Sequence, residues 1–103
     1  MFSHTNMTGA NFSRVRASGV SFRDSTLVET CFREADLRGA RFPGSDVRGA
    51  DFRGADLEGA DFAGARNIAH AHFAGANLRG AHLATAMWLD VTGRAPAARE
   101  GAL

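Results

Sequence analysis

Bulky apolar residues recur at every fifth position along most of this chain. In residues 46–62, DVRGADFRGADLEGADF, the apolar Val47, Phe52, Leu57 and Phe62 each follow an aspartate. An amphipathic helix repeats near 3.6 residues and a strand at 2, so a period of five predicts neither as a continuous element. The anchors run Phe2, Met7, Phe12, Ala17, Phe22, Leu27, Phe32, Leu37, Phe42, Val47, Phe52, Leu57 and Phe62. After one extra residue the series resumes at Ile68, Phe73, Leu78, Leu83 and Trp88. A small residue stands two positions before most anchors, and glycine often stands two positions after.

The small residue and its anchor lie two apart, as on one side of a strand. The next small residue comes three positions later, so the backbone must turn a corner in every repeat. Four corners close a square coil, and stacked coils sit about 4.8 Å apart. Each residue then lies beneath the one twenty positions later. Sorted in twenties, Phe2, Phe22, Phe42 and Phe62 form one column and Phe12, Phe32, Phe52 and Phe73 the opposite one. Aliphatics mostly fill the other two: Met7, Leu27, Val47, Ile68 and Trp88, then Ala17, Leu37, Leu57 and Leu78. The sorting supports a square coil with an inward-facing core.

Five segments carry a resemblance to the pentapeptide-repeat family: ADLRG (35–39), ADFRG (50–54), ADLEG (55–59), ADFAG (60–64) and ANLRG (76–80). The resemblance extends over about residues 5 to 88 and weakens before residue 35, where NFSRV, SFRDS and TLVET lack the regular glycine. It implies an all-β fold, a right-handed quadrilateral β-helix of about four coils. The expected organisation is a solenoid over residues 1–90 and a loose or docked C-terminal tail over 91–103. The six-residue step from Phe62 to Ile68 predicts a one-residue bulge at a corner, after which the inward register recovers.

Composition narrows the function. The 103-residue chain has twelve arginines, no lysine and a formal charge of +1, so it carries no gross polyelectrolyte signal. One cysteine, Cys31, excludes an internal disulfide. No apolar run is long enough to span a bilayer, and the N-terminus does not read as a signal peptide. The expectation is a cytoplasmic protein without membrane contact.

Candidate chemistry is sparse. Asp36, Asp46, Asp51, Asp56 and Asp61 point outward, and the regular Asp or Asn reads as a side chain bonded to the corner backbone. Asp36 and Asp56 should stack one coil apart, their repulsion moderated by Arg38 and Arg53. His72 should lie above Asp51, His82 above Asp61, and Cys31 in the column of Asp51. With the histidines on different faces, neither a convergent metal site nor a cofactor is expected. No phosphate loop, dinucleotide fingerprint or nucleophile motif occurs. The chain therefore reads as a non-enzymatic structural or protein-interaction module presenting flat charged faces.

The candidate interaction surface comprises Asp36, Asp56 and Glu58 on one face, and Phe2, Met7 and Trp88 at the solenoid ends. Phe2 begins the core series almost at once, which suggests an uncovered first coil and a homodimer through one end. The family resemblance supplies an alternative: a DNA-mimicking protein that binds type II topoisomerase and inhibits or protects it. That role calls for a strongly negative face. A small enzyme with a surface His/Asp site is the remaining alternative. Direct nucleic-acid binding is not expected, because the arginines are interleaved with acids.

Overall fold

A computed structural model describes residues 2–83. Among them regular strands are very short: β1 is Phe2–Ser3 and β2 is Phe22–Arg23, paired in parallel with Phe2 opposite Phe22. Further pairing is a run of parallel bridges twenty residues apart, from Asn6 with Thr26 to Asp46 with Arg66. The sides are short because a corner interrupts the chain every five residues.

The repeat Ala35–Gly39 shows how all five backbone N–H groups find acceptors. Ala35 donates across the turn to Phe32 O at 3.1 Å, and Asp36 to Val15 O in the coil below at 2.8 Å. Leu37 and Gly39 donate upward to Asp56 O and Glu58 O. The remaining N–H, on Arg38, reaches Asp36 Oδ1 at 3.3 Å. This last bond explains the aspartate: it satisfies the one donor that neither the ladder nor the turn uses.

Corners turn through a left-handed residue two positions after the anchor. In Phe42-Pro43-Gly44-Ser45, Pro43 precedes Gly44 at φ 70°, and Ser45 N–H closes onto Phe42 O at 3.3 Å. Proline followed by a positive-φ glycine is the signature of a type II turn. The early coils hold His4, Arg14, Asp24, Glu29 and Glu34 at φ 52–62° in this same position. The backbone therefore turns alike with and without glycine, at a conformational cost where a side chain is present.

Among the described residues the core follows the predicted columns from the second coil onward, with Met7 buried below them. Rings stack at 5.5 Å between Phe22 and Phe42, 4.5 Å between Phe42 and Phe62, and 5.3 Å between Phe32 and Phe52. The two columns also meet edge to face, as for Phe52 and Phe62 at 5.6 Å and 85°. Both arrangements suit the ring quadrupole. Leu27, Leu37, Val47 and Leu57 are fully buried beside them. At Ser25, Thr30 and Ser45 a hydroxyl replaces the usual small apolar group. Each is bonded to a backbone carbonyl, as Thr30 Oγ1 is to Met7 O at 2.8 Å.

The bulge falls where the spacing places it. Asn67 adopts φ 60° and opens a 3-10 turn over Ile68–His70, after which bridges step by twenty-one, as from Asp51 to His72. Ile68 regains the core. Arg66 keeps the ladder position over Asp46, while the Asn67 amide donates to Asp46 Oδ1 at 3.0 Å. Backbone and side-chain columns are thus continued by two different residues.

Candidate interaction faces

The ladder holds outward side chains on a fixed grid. On one face Arg16, Asp36, Asp56 and Asn77 stack in register. Arg38 lies beside this column: its Nε and Nη2 donate to Asp36 Oδ1 and Oδ2, both at 2.9 Å, and Nε also stands 3.8 Å from Asp56 Oδ2. The Arg38 hydrogen bonds hold the Asp36 carboxyl below its usual range. Asn77 Nδ2 donates to Asp56 Oδ1 at 3.1 Å. The candidate residues Asp36, Asp56 and Glu58 therefore share a face with Arg16, Arg38 and Arg79. The carboxylates are regular and locally neutralised.

Arg53 does not serve that column, as the sequence suggested it would. It binds Asp51 on the neighbouring side through two parallel bonds of 2.8 and 2.7 Å. A planar fork two residues from a pinned carboxylate reaches it more readily than a carboxylate around the corner. Arg53 holds Asp51 below its ordinary range, against an opposing effect of burial. Asp46 is held down as well, first by the Asn67 amide.

Cys31, Asp51 and His72 form the predicted column, which Asn11 extends by one coil, and His82 pairs in register with Asp61. Cys31 is half-buried with a free thiol, beside a shallow groove lined by Asn11, Ser13, Arg14, Arg33 and Glu34. Among the described residues no group of three or more His, Cys, Asp or Glu is placed to hold a metal.

At the first coil, Phe2 is 40% exposed and stacks on Phe22 at 5.3 Å. Phe12 is partly buried. Met7 is buried at 7% exposure, so it does not contribute to an open apolar end as the sequence reading supposed. The turn after it closes with the Ala10 N–H donating to Met7 O at 2.9 Å. Trp88 and the 90/91 boundary lie outside the described residues.

One side departs from the charge pattern. Ser21 and Arg41 occupy the ladder position that most later repeats give to Asp or Asn, and Arg23 and Pro43 follow the anchors. The signal was present in SFRDS and RFPGS, but only the pairing elsewhere shows its consequence.

Comparison with known proteins supports the architecture. No curated protein matches the sequence. HetL, a pentapeptide repeat protein involved in heterocyst differentiation regulation from the cyanobacterium Nostoc sp. strain PCC 7120, is 27% identical. The match covers 78% of this chain and 39% of HetL, with a TM-score of 0.52. QnrB1, a plasmid-mediated fluoroquinolone resistance protein, is 26% identical in its R167E trypsin-treated form. That match covers 80% of this chain and 56% of the other, with a TM-score of 0.51. The chain thus spans well under two thirds of either relative. The family model for pentapeptide repeats matches residues 2–33 and 30–66 with eight copies. With its five-residue corners and twenty-residue ladder, the chain belongs to the pentapeptide-repeat family and adopts its right-handed quadrilateral β-helix.

Proposed function

We propose that this protein is a non-enzymatic interaction module that presents its flat faces to a protein partner. The observation that carries this reading is the fixing of outward polar groups. Asp36, Asp46, Asp51, Asp56 and Asp61 each accept a backbone N–H from two residues on, so their carboxylates are oriented before any partner arrives. Preorganised groups lose less freedom on binding, and the charge array supplies register and selectivity. The test is photocrosslinking in the source cell from positions 58 and 18, at one corner-to-corner face, and from 48 and 63 on other sides. One discrete partner captured from a subset of faces supports the reading. Equal, diffuse capture from every side would overturn it.

A second reading is favoured by the likeness to QnrB1: engagement of a type II topoisomerase by DNA mimicry. Its electrostatic requirement is poorly matched, because the face bearing Asp36, Asp56 and Glu58 also carries Arg16, Arg38 and Arg79. Duplex DNA presents phosphate charge without interleaved cations. A gyrase supercoiling assay with and without a fluoroquinolone decides between the two. Inhibition or protection that disappears when Asp36, Asp56 and Glu58 are neutralised together would favour the mimic.

A further inference from the structure

We propose that the groove beside Phe22, Phe42 and Phe62 binds an extended acidic segment of a partner protein, with two adjacent carboxylates gripped by Arg23 and Arg41. This deepens the interaction-module reading and rests on it. The groove measures about 270 Å³ and is lined by Ser21, Arg23, Arg41, Pro43, Asp61 and Ala63. It runs over three consecutive coils, since Ser21, Arg41 and Asp61 stack in register along one wall.

Charge complementarity selects the occupant. On two other faces an arginine after the anchor is neutralised by an aspartate before it, Arg38 by Asp36 and Arg53 by Asp51. Here that pairing is broken. Arg23 has Ser21 in the aspartate's place and only a loose contact of 3.6 Å with Asp24. Arg41 has no carboxylate within 4 Å among the described residues, although Asp61 is its ladder neighbour. Two exposed guanidinium groups therefore border a groove whose other lining includes a proline ring and an alanine methyl. Such forks suit carboxylates, which they can bind through paired hydrogen bonds.

Geometry sets the spacing of those carboxylates. Arg23 and Arg41 stand on opposite walls one coil apart, a step of about 4.8 Å along the axis. An extended chain rises about 3.4 Å per residue and sends successive side chains to opposite sides. Two consecutive acidic residues thus meet the two arginines in turn. One coil further on the wall carries Asp61, which disfavours a third acid and favours a neutral or basic residue. The recognised segment is acid-acid followed by a neutral or basic position.

The test uses a fluorescein-labelled peptide of sequence Gly-Ser-Glu-Glu-Ser-Lys-Gly and fluorescence anisotropy at low salt, with the full chain. Saturable binding is expected, weakened roughly tenfold by Arg41→Ala or by Arg23→Ala, the loss of one charged hydrogen-bonding group. Ala63→Glu, which places a carboxylate in the groove, should abolish binding, while Arg79→Ala on another face should leave it within about twofold. Circular dichroism of each variant separates lost binding from lost fold. A peptide with Lys-Lys in place of Glu-Glu should not bind. Equal loss with Arg79→Ala, or no saturable binding, would overturn the proposal. A single-stranded oligonucleotide binding as tightly as the peptide would overturn it in favour of a general anion surface. Failure here together with face-selective crosslinking elsewhere would remove this groove and leave the interaction-module reading standing.

Discussion

Asp51 and Arg53, two residues apart in one coil, are joined three times. The guanidinium donates twice to the carboxylate, at 2.8 and 2.7 Å, and the Arg53 backbone N–H donates to Asp51 Oδ1 at 3.1 Å. One side chain thereby satisfies a leftover backbone donor and neutralises a neighbouring charge. These roles are separable. Asn6, Asn11 and Asn77 accept the same backbone bond without carrying charge.

Substitution at Asp51 should divide the two roles. Asp51→Asn keeps an acceptor for the backbone and should cost about 1 kcal/mol or less. Asp51→Ala leaves the Arg53 N–H without its partner and should cost about 2 kcal/mol. Chemical denaturation of the two variants checks this. Equal losses would mean that the backbone bond contributes nothing.

Acid should weaken the fold. Asp51, Asp46 and Asp36 are all held below the ordinary carboxylate range, by Arg53, Asn67 and Arg38 respectively. A depressed folded-state pKa gives stability that is complete above the unfolded value and lost as pH falls through the folded one. The melting temperature should therefore be unaffected by these groups near neutrality and fall below about pH 4. A melting temperature that rises on acidification would contradict the assignment.

Phe52 is fully buried and meets Phe32, Phe42, Phe62 and Phe73. Phe52→Ala should cost about 3–5 kcal/mol through lost transfer and cavity terms. Glu58→Ala, on the surface, should stay within about 0.5 kcal/mol. Urea denaturation compares them, and a Phe52 loss below about 1 kcal/mol would show that the rings are not the core.

Glu29 takes the left-handed corner position at φ 56° that Gly49 takes in the next coil at 70°. Its Cγ lies 3.0 Å from where a Cβ on Gly49 would stand, so an alanine at 49 meets both strain and a close neighbour. Glu29→Gly should stabilise by about 0.5–1 kcal/mol, and Gly49→Ala should destabilise by at least about 1 kcal/mol. Thermal denaturation measures both signs.

Coverage of the first coil by a second copy remains the expectation from the exposure of Phe2. Phe2→Ser should convert a dimer towards monomer in size-exclusion chromatography with light scattering. Met7 is already buried within its own chain and is left unchanged. A monomeric wild-type protein, or a dimer indifferent to the substitution, would remove this end as the interface.

The sequence by itself determined the period, the four columns, the register of Asp36 with Asp56 and of Asp51 with His72, and the one-residue step between Phe62 and Ile68. These follow from backbone arithmetic, because five residues per corner and twenty per coil leave no freedom in what stacks on what. Tertiary structure decided where the long side chains go. Arg38 reaches both Asp36 and Asp56 while Arg53 reaches Asp51, and spacing alone assigned both arginines to the Asp36 column. Only the built corner shows that Arg53 turns to Asp51, and only the ladder shows Arg23 loosely paired and Arg41 unpaired within 4 Å among the described residues, beside a groove. Burial at the first coil was likewise a tertiary matter: Met7 and Phe2 occupy equivalent anchor positions, yet one is enclosed by the chain and the other is not. Periodicity fixes direction along a ladder, whereas exposure depends on which atoms close around its end.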